Sequence, residues 1–137
     1  MDEIFFGVDI DQIGALSKPG RIKKIPDSPE WIKGSVKYRN DTVPLVNLWK
    51  ILGLNKPRKK VLLVPSAFDY CAFLISDVKG IYKLDTEKRS TRIYSLPYLK
   101  GFGSFREKVL VEMDLSALLT EKQKKILIKA KKKNEKK

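Results

Sequence analysis

Ile25–Leu48 reads IPDSPEWIKGSVKYRNDTVPLVNL, and the order of signals in it decides the fold. Pro26 and Pro29 bracket Asp27 and Ser28. That is turn chemistry: proline fixes φ, and short polar side chains bond nearby backbone. Trp31, Ile32, Val36 and Tyr38 then form a bulky, β-prone stretch. Gly34 interrupts it, which predicts a place where a side chain does not fit. Asn40-Asp41 predicts a tight reversal into Thr42–Val46. Pro44 has no N–H to give to a ladder, so it predicts an edge or bulge position. Asn47 is the expected N-cap of a short helix near 47–53. Leu48, Ile51 and Leu52 lie on one side of that helix, and Gly53 stops it.

Outward from this stretch the chain continues in short apolar segments. Lys60–Pro65 (KVLLVP) and Cys71–Val78 (CAFLISDV) read as a strand pair. Ile4–Ile10 mixes apolar and small residues and Gln12–Leu16 continues it; further strands are expected near Arg21–Ile25, Tyr70–Ile75, Val78–Leu84 and Val109–Met113. Lys18-Pro19-Gly20 is a turn, and Glu87–Arg92 a charged loop. Many short strands with few helices predict a mainly β protein, a barrel or a sandwich.

With 137 residues and 42% hydrophobic content, the chain can bury one real core. No apolar run approaches the ~20 residues that span a bilayer. Met1-Asp2-Glu3 is acidic, unlike a secretory signal. Cys71 is the sole cysteine and cannot form an internal disulfide. Its apolar neighbours predict a buried thiol and a cytoplasmic protein. The chain has no histidine. That removes the commonest general base, the Ser-His and Cys-His pairs, and most zinc sites. No Walker loop or GxGxxG is present. The expectation is a noncatalytic protein with no cofactor.

The net charge of +13 is concentrated at one end. Residues 122–137 hold nine lysines and one glutamate. Thr120–Gln123 fits a capping box, so a helix is expected to start there, within a helical region near 115–130. Ile126 and Leu127 are expected to dock, with Lys129 onward fraying into solvent. Three readings stand for the lysines: a solvated tail, attraction to acidic lipid or an acidic partner, and unspecific contact with nucleic-acid phosphates.

The order of the blocks resembles the CheW-like domain, the coupling protein of bacterial chemotaxis arrays. The resemblance rests on Ile25–Leu48, on the Lys60–Val78 pair, and on Tyr98–Gly103 followed by Lys108–Asp114 and Leu115–Leu119. It implies two small SH3-like five-stranded barrels sharing one core over residues 1–121, with 122–137 as a lysine-rich helix or tail. It also implies a scaffold for chemotaxis or related motility signalling. The implied partners are the regulatory domain of a CheA-type histidine kinase and the cytoplasmic tip of a chemoreceptor. By position, Ile13, Arg39, Asn40 and Thr42 would lie by the receptor groove, and Val78 and Gly80 near the kinase contact. Plain core packing is the competing reading for Ile13 and Val78. For Gly34, Gly101 and Gly103 it is backbone geometry. A small nucleic-acid-binding barrel with a basic tail is the alternative function, although nucleic acid is not the expected partner.

The chain also departs from the family pattern. The family's usual opening strand has no counterpart before Asp2–Ile10. This implies that the first barrel is open, that another chain supplies the strand, or that the true start lies upstream. An open edge invites self-association. The family's Leu-Arg-Gly is Tyr38-Arg39-Asn40 here, with Asn40 expected to take the left-handed backbone in place of glycine. The glutamate that holds the family's arginine aligns with Ala15, so that internal ion pair is not expected. The aspartate of the family's central strand aligns with Ser76, with Asp77 one place later.

Overall fold

In the computed structural model the described residues are 4–54, 59–82, 87–88 and 98–135. They form a mainly β protein with two sheets and two compact units. One unit comprises the described residues within Met1–Gln12 and Gly80–Thr120, the other those within Ile13–Lys79 and Glu121–Lys137.

The second unit is built around the stretch that opened the sequence. Strands β2 (Ile13–Ser17), β3 (Ile32–Tyr38), β4 (Asp41–Asn47), β5 (Val61–Pro65) and β6 (Ala72–Ile75) form one sheet. β1 (Ile4–Val8) belongs to the other unit. The order here is β2-β5-β6-β4-β3, with β4 and β6 parallel and the other pairs antiparallel. Val36, Val43, Leu45, Leu62, Ala72 and Leu74 pack together with Trp49, and Ile22 and Val64 pack against them. The apolar runs of β5 and β6 lack strict alternation because buried strands have apolar neighbours on both faces. Phe73 and Leu74 are adjacent and both fully buried.

Pro44, whose missing N–H predicts an edge or a bulge, lies in an interior strand, one residue from the register shift between the Ile32–Val46 and Gly34–Leu45 pairs. The ladder resolves this. Ser35, its register partner, uses its N–H and C=O on Lys23, at 2.7 and 2.9 Å. The Ser35–Pro44 pair is therefore a non-hydrogen-bonded one. On the other side, pairing of β4 with β6 begins at Leu45. No ladder bond needs the Pro44 nitrogen. The same Lys23–Ser35 bridge is all that forms of the strand expected at Arg21–Ile25. It explains Gly34 (φ 155°), where a Cβ would collide with the Lys23 carbonyl oxygen.

The helix α1 (Leu48–Leu52) ends at Gly53, whose φ of 70° is left-handed. Asn47 occupies the N-cap position but makes no side-chain cap bond. Its Nδ2 instead donates to the Glu30 carbonyl at 3.3 Å, and its N–H to the Trp31 carbonyl at 2.8 Å. The side chain ties the proline turn to β4.

The helix α2 (Glu121–Glu135) starts where the capping pattern predicts. It does not fray from Lys129, as expected from its polarity. It packs on β4, Leu127 has no exposed surface, and Lys131 bonds Asp69 at 3.3 Å. Burying a leucine contributes about 2 kcal/mol, which holds a helix that its lysine content alone would not. The region near 115–130 is thus two elements, a 3-10 turn at Leu115–Ala117 and then α2.

The first unit holds β1 together with β7 (Glu87–Lys88), β8 (Leu99–Phe105) and β9 (Lys108–Met113), in the order β1-β9-β8-β7. Among the described residues this sheet has four strands rather than five. β1 runs parallel to β9, with Ile4 opposite Val109 and Val8 opposite Met113. Among its described residues the buried apolar side chains are Leu99, Leu110, Met113, Leu115, Leu118 and Leu119. The glycine-bearing segment at Tyr98–Gly103 lies largely in β8, with a register shift between Leu99 and Gly101. The strand expected at Val78–Leu84 does not form over Val78–Tyr82, and its end lies outside the described residues. Of the Glu87–Arg92 loop, Glu87 and Lys88 form β7, and the remainder lies outside the described residues.

Candidate partner-binding site

The β3–β4 hairpin closes through a two-residue turn at Arg39-Asn40, between the paired residues Tyr38 and Asp41. The left-handed residue is Arg39, at φ 55°, and not Asn40 as the family's glycine position suggests. The pairing shifts the turn one residue toward the N-terminus of the Asn40-Asp41 reversal. A left-handed arginine costs about 1 kcal/mol. Part of that is offset because its guanidinium carbon sits 5.4 Å from the centroid of the Tyr38 ring. Arg39 is exposed, and among the described residues no carboxylate stands at ion-pair distance from it.

Beside this turn lies a groove of about 340 Å³. Tyr38, Asp41 and Val43 line it from the hairpin, and Val64, Pro65 and Phe68 from β5 and the loop after it. Phe68 stacks on Tyr70 at 4.8 Å and meets the Phe73 edge at 6.3 Å. The loop is therefore held by aromatic packing of the half-buried Phe68 and Tyr70 on the buried Phe73. Asp41 and Asp69 bring carboxylates to the rim, and Lys131 of α2 pairs with the second. Burial pushes the Tyr70 hydroxyl up, helped by the charge of Glu121. Burial also pushes the Cys71 thiol far up, so the thiol at the groove floor stays protonated. The groove offers shape, an aromatic wall and charge.

The sequence-derived residues gather around it unevenly. Ile13 is half-buried and pairs with the lining residue Pro65. Arg39 and Asn40 sit on the turn between two lining residues. Thr42 is opposite Lys37 and alternates to the other face of β4 from Asp41 and Val43. Val78 is 39% exposed, so it is not a core residue. Gly80 falls in the other unit, at φ 131°, where a Cβ would press on the Tyr82 ring at 3.0 Å. Val78 and Gly80, two residues apart, thus belong to different units. Sequence reasoning missed Tyr38, Asp41 and the Phe68–Tyr70 loop. The Phe-Asp-Tyr triplet between two apolar strands is the signal that could have marked it.

Among the described residues no helix is long and apolar enough to cross a membrane. A family model described as the CheW-like domain matches residues 1–123. The chemotaxis protein CheW of Thermotoga maritima is 24% identical over 127 residues, covering 88% of this chain and 84% of that protein. The chemotaxis protein CheW of Klebsiella aerogenes is 23% identical over 127 residues, covering 86% and 76%. The crystal structure of the scaffolding protein TtCheW from Thermoanaerobacter tengcongensis superposes with a TM-score of 0.65. It is 20% identical, and the match covers 80% of this chain and 81% of that one. That likeness shows the fold.

Proposed function

The chain belongs to the CheW-like domain family, and from that premise we propose that it couples chemoreceptors to a CheA-type histidine kinase in the cytoplasm. It is a noncatalytic scaffold for chemotaxis signalling. The observation that carries the finer reading is Arg39: an exposed cation, without a described carboxylate partner, on a tight turn at the rim of an aromatic groove. Such a charge gives register to a contact whose affinity comes from apolar surface. Ile13 and Asn40 would flank a receptor tip there, Thr42 would meet it from the opposite face of β4, and Val78 and Gly80 would meet the kinase. β1 ends the strand order of its sheet, so one edge carries no ladder among the described residues. This supports self-pairing by strand addition as a second mode of assembly.

The test is capture of a CheA-type regulatory domain and of a receptor-tip fragment by the full chain at moderate salt. Arg39→Ala is expected to weaken receptor capture about tenfold or more and to spare kinase capture. Failure of the unaltered chain to capture either partner would sink the reading. Deleting residues 122–137 is the wrong control, because it strips Leu127 from β4. Replacing exposed lysines of α2 by glutamine removes the charge and leaves the packing.

A further inference from the structure

The family match ends at residue 123, yet α2 runs on to Glu135. Lys122, Lys125, Lys129 and Lys132 are all exposed. Their spacing of three, four and three residues puts them on one helical face. The row extends about 15 Å along the axis. Leu127 anchors the opposite side to β4, and Lys131 is tied to Asp69 on the flank. The row is therefore held in line on a fixed helix. Ile128, 39% exposed, borders the row between Lys125 and Lys129.

The residue types narrow the occupant. No arginine follows Arg106 and no aromatic residue follows Phe105. The face thus lacks the guanidinium forks and stacking rings with which proteins grip nucleic acid. The same face of a second copy would set lysine against lysine and is repelled there. What remains complementary is a flat, extended anionic surface that lysine stems can lie along while one apolar side chain enters it.

We propose that this face of α2 docks on the anionic headgroups of a bilayer leaflet, with Ile128 entering the headgroup layer. Clusters of four to eight basic residues bind such leaflets by near-additive attraction that falls off within a Debye length. The inference does not depend on the coupling reading.

The experiment is co-sedimentation of the full chain with vesicles of phosphatidylcholine alone and of phosphatidylcholine with phosphatidylglycerol, at low and raised salt. Binding is expected only to the anionic vesicles and is expected to weaken with salt. The combined variant Lys122→Gln, Lys125→Gln, Lys129→Gln, Lys132→Gln should lose about a hundredfold or more. A control set with equal charge removed at other exposed positions (Lys24, Lys33, Lys37 and Lys59, each to Gln) should lose much less. Ile128→Gln should weaken binding severalfold at fixed salt. Circular dichroism checks that α2 persists in each variant. Equal binding to neutral vesicles, equal loss in both lysine sets, or indifference to Ile128→Gln would overturn the proposal. So would tighter binding to duplex DNA than to the anionic vesicles at the same salt.

Discussion

Gln12 and Asp114 are 102 residues apart in sequence, and Gln12 Nε2 donates to Asp114 Oδ1 at 2.6 Å. The other end of the same amide accepts the Leu115 N–H at 3.0 Å. Asp114 in turn accepts from the Ser116 N–H at 3.0 Å and caps the 3-10 turn that follows β9. One glutamine thus joins the segment after β1 to the end of β9 within the first unit. Gln12→Ala should lower unfolding free energy by about 1–2 kcal/mol, measured by urea denaturation, since it removes the bonds to Asp114 Oδ1 and the Leu115 N–H, although Asp114 still caps the turn. No change would mean that water replaces both.

The same carboxyl should shape the acid limb of the stability curve. Partial burial alone would raise the Asp114 pKa, but the bonds from Gln12 and Ser116 and the charge of Lys100 outweigh it and hold it below the ordinary value. A depressed carboxyl pKa stabilises the fold above the unfolded value of about 3.9. That contribution disappears as pH falls from there through the folded value. Asp114→Asn should therefore be less stable than the parent at neutral pH, with the gap closing at low pH. A gap that stays constant with pH would exclude the charge as its source.

Gly34→Ala should cost about 2 kcal/mol or more, read as a drop in thermal midpoint. The new Cβ would strike the Lys23 carbonyl oxygen, which is already committed to the Ser35 N–H. Unchanged stability would show that the Lys23 bridge can move aside without loss.

The turn makes a paired prediction. Arg39 holds the left-handed backbone and Asn40 does not. Arg39→Gly should therefore keep stability within about 1 kcal/mol of the parent or raise it, while Asn40→Gly should lower it by about 0.5–1 kcal/mol through added chain freedom. Arg39→Ala should also stay within about 1 kcal/mol, as an exposed side chain does. The reverse ranking of the two glycine variants would return the left-handed position to Asn40.

Cys71 should resist a thiol reagent in the folded chain at neutral pH and react fully once the chain is unfolded in denaturant. Burial keeps it protonated and inaccessible. Its raised folded pKa carries a definite sign. As pH rises above about 8.5 the unfolded thiol ionises first, so stability falls on the alkaline side. Rapid labelling under native conditions would mean that the groove opens to its floor.

Much of this protein is written locally. The strands Ile32–Tyr38, Asp41–Asn47 and Val61–Pro65 follow from β-prone side chains bounded by turn residues, and the end of α1 follows from Gly53. Backbone preference and turn chemistry act over a few residues, so they can be read a few residues at a time. Tertiary structure decided where each unpaired donor and acceptor went. It set β1 beside β9 in parallel and gave Ser35 to Lys23, so that Pro44 could sit inside a sheet. It turned Asn47 away from its cap toward Glu30, and kept α2 helical past Lys129 by burying Leu127. It also assembled the groove from a hairpin and a loop some thirty residues apart. A hydrogen-bonding group or an apolar face specifies that it must be satisfied, but only the folded chain determines which distant residue satisfies it.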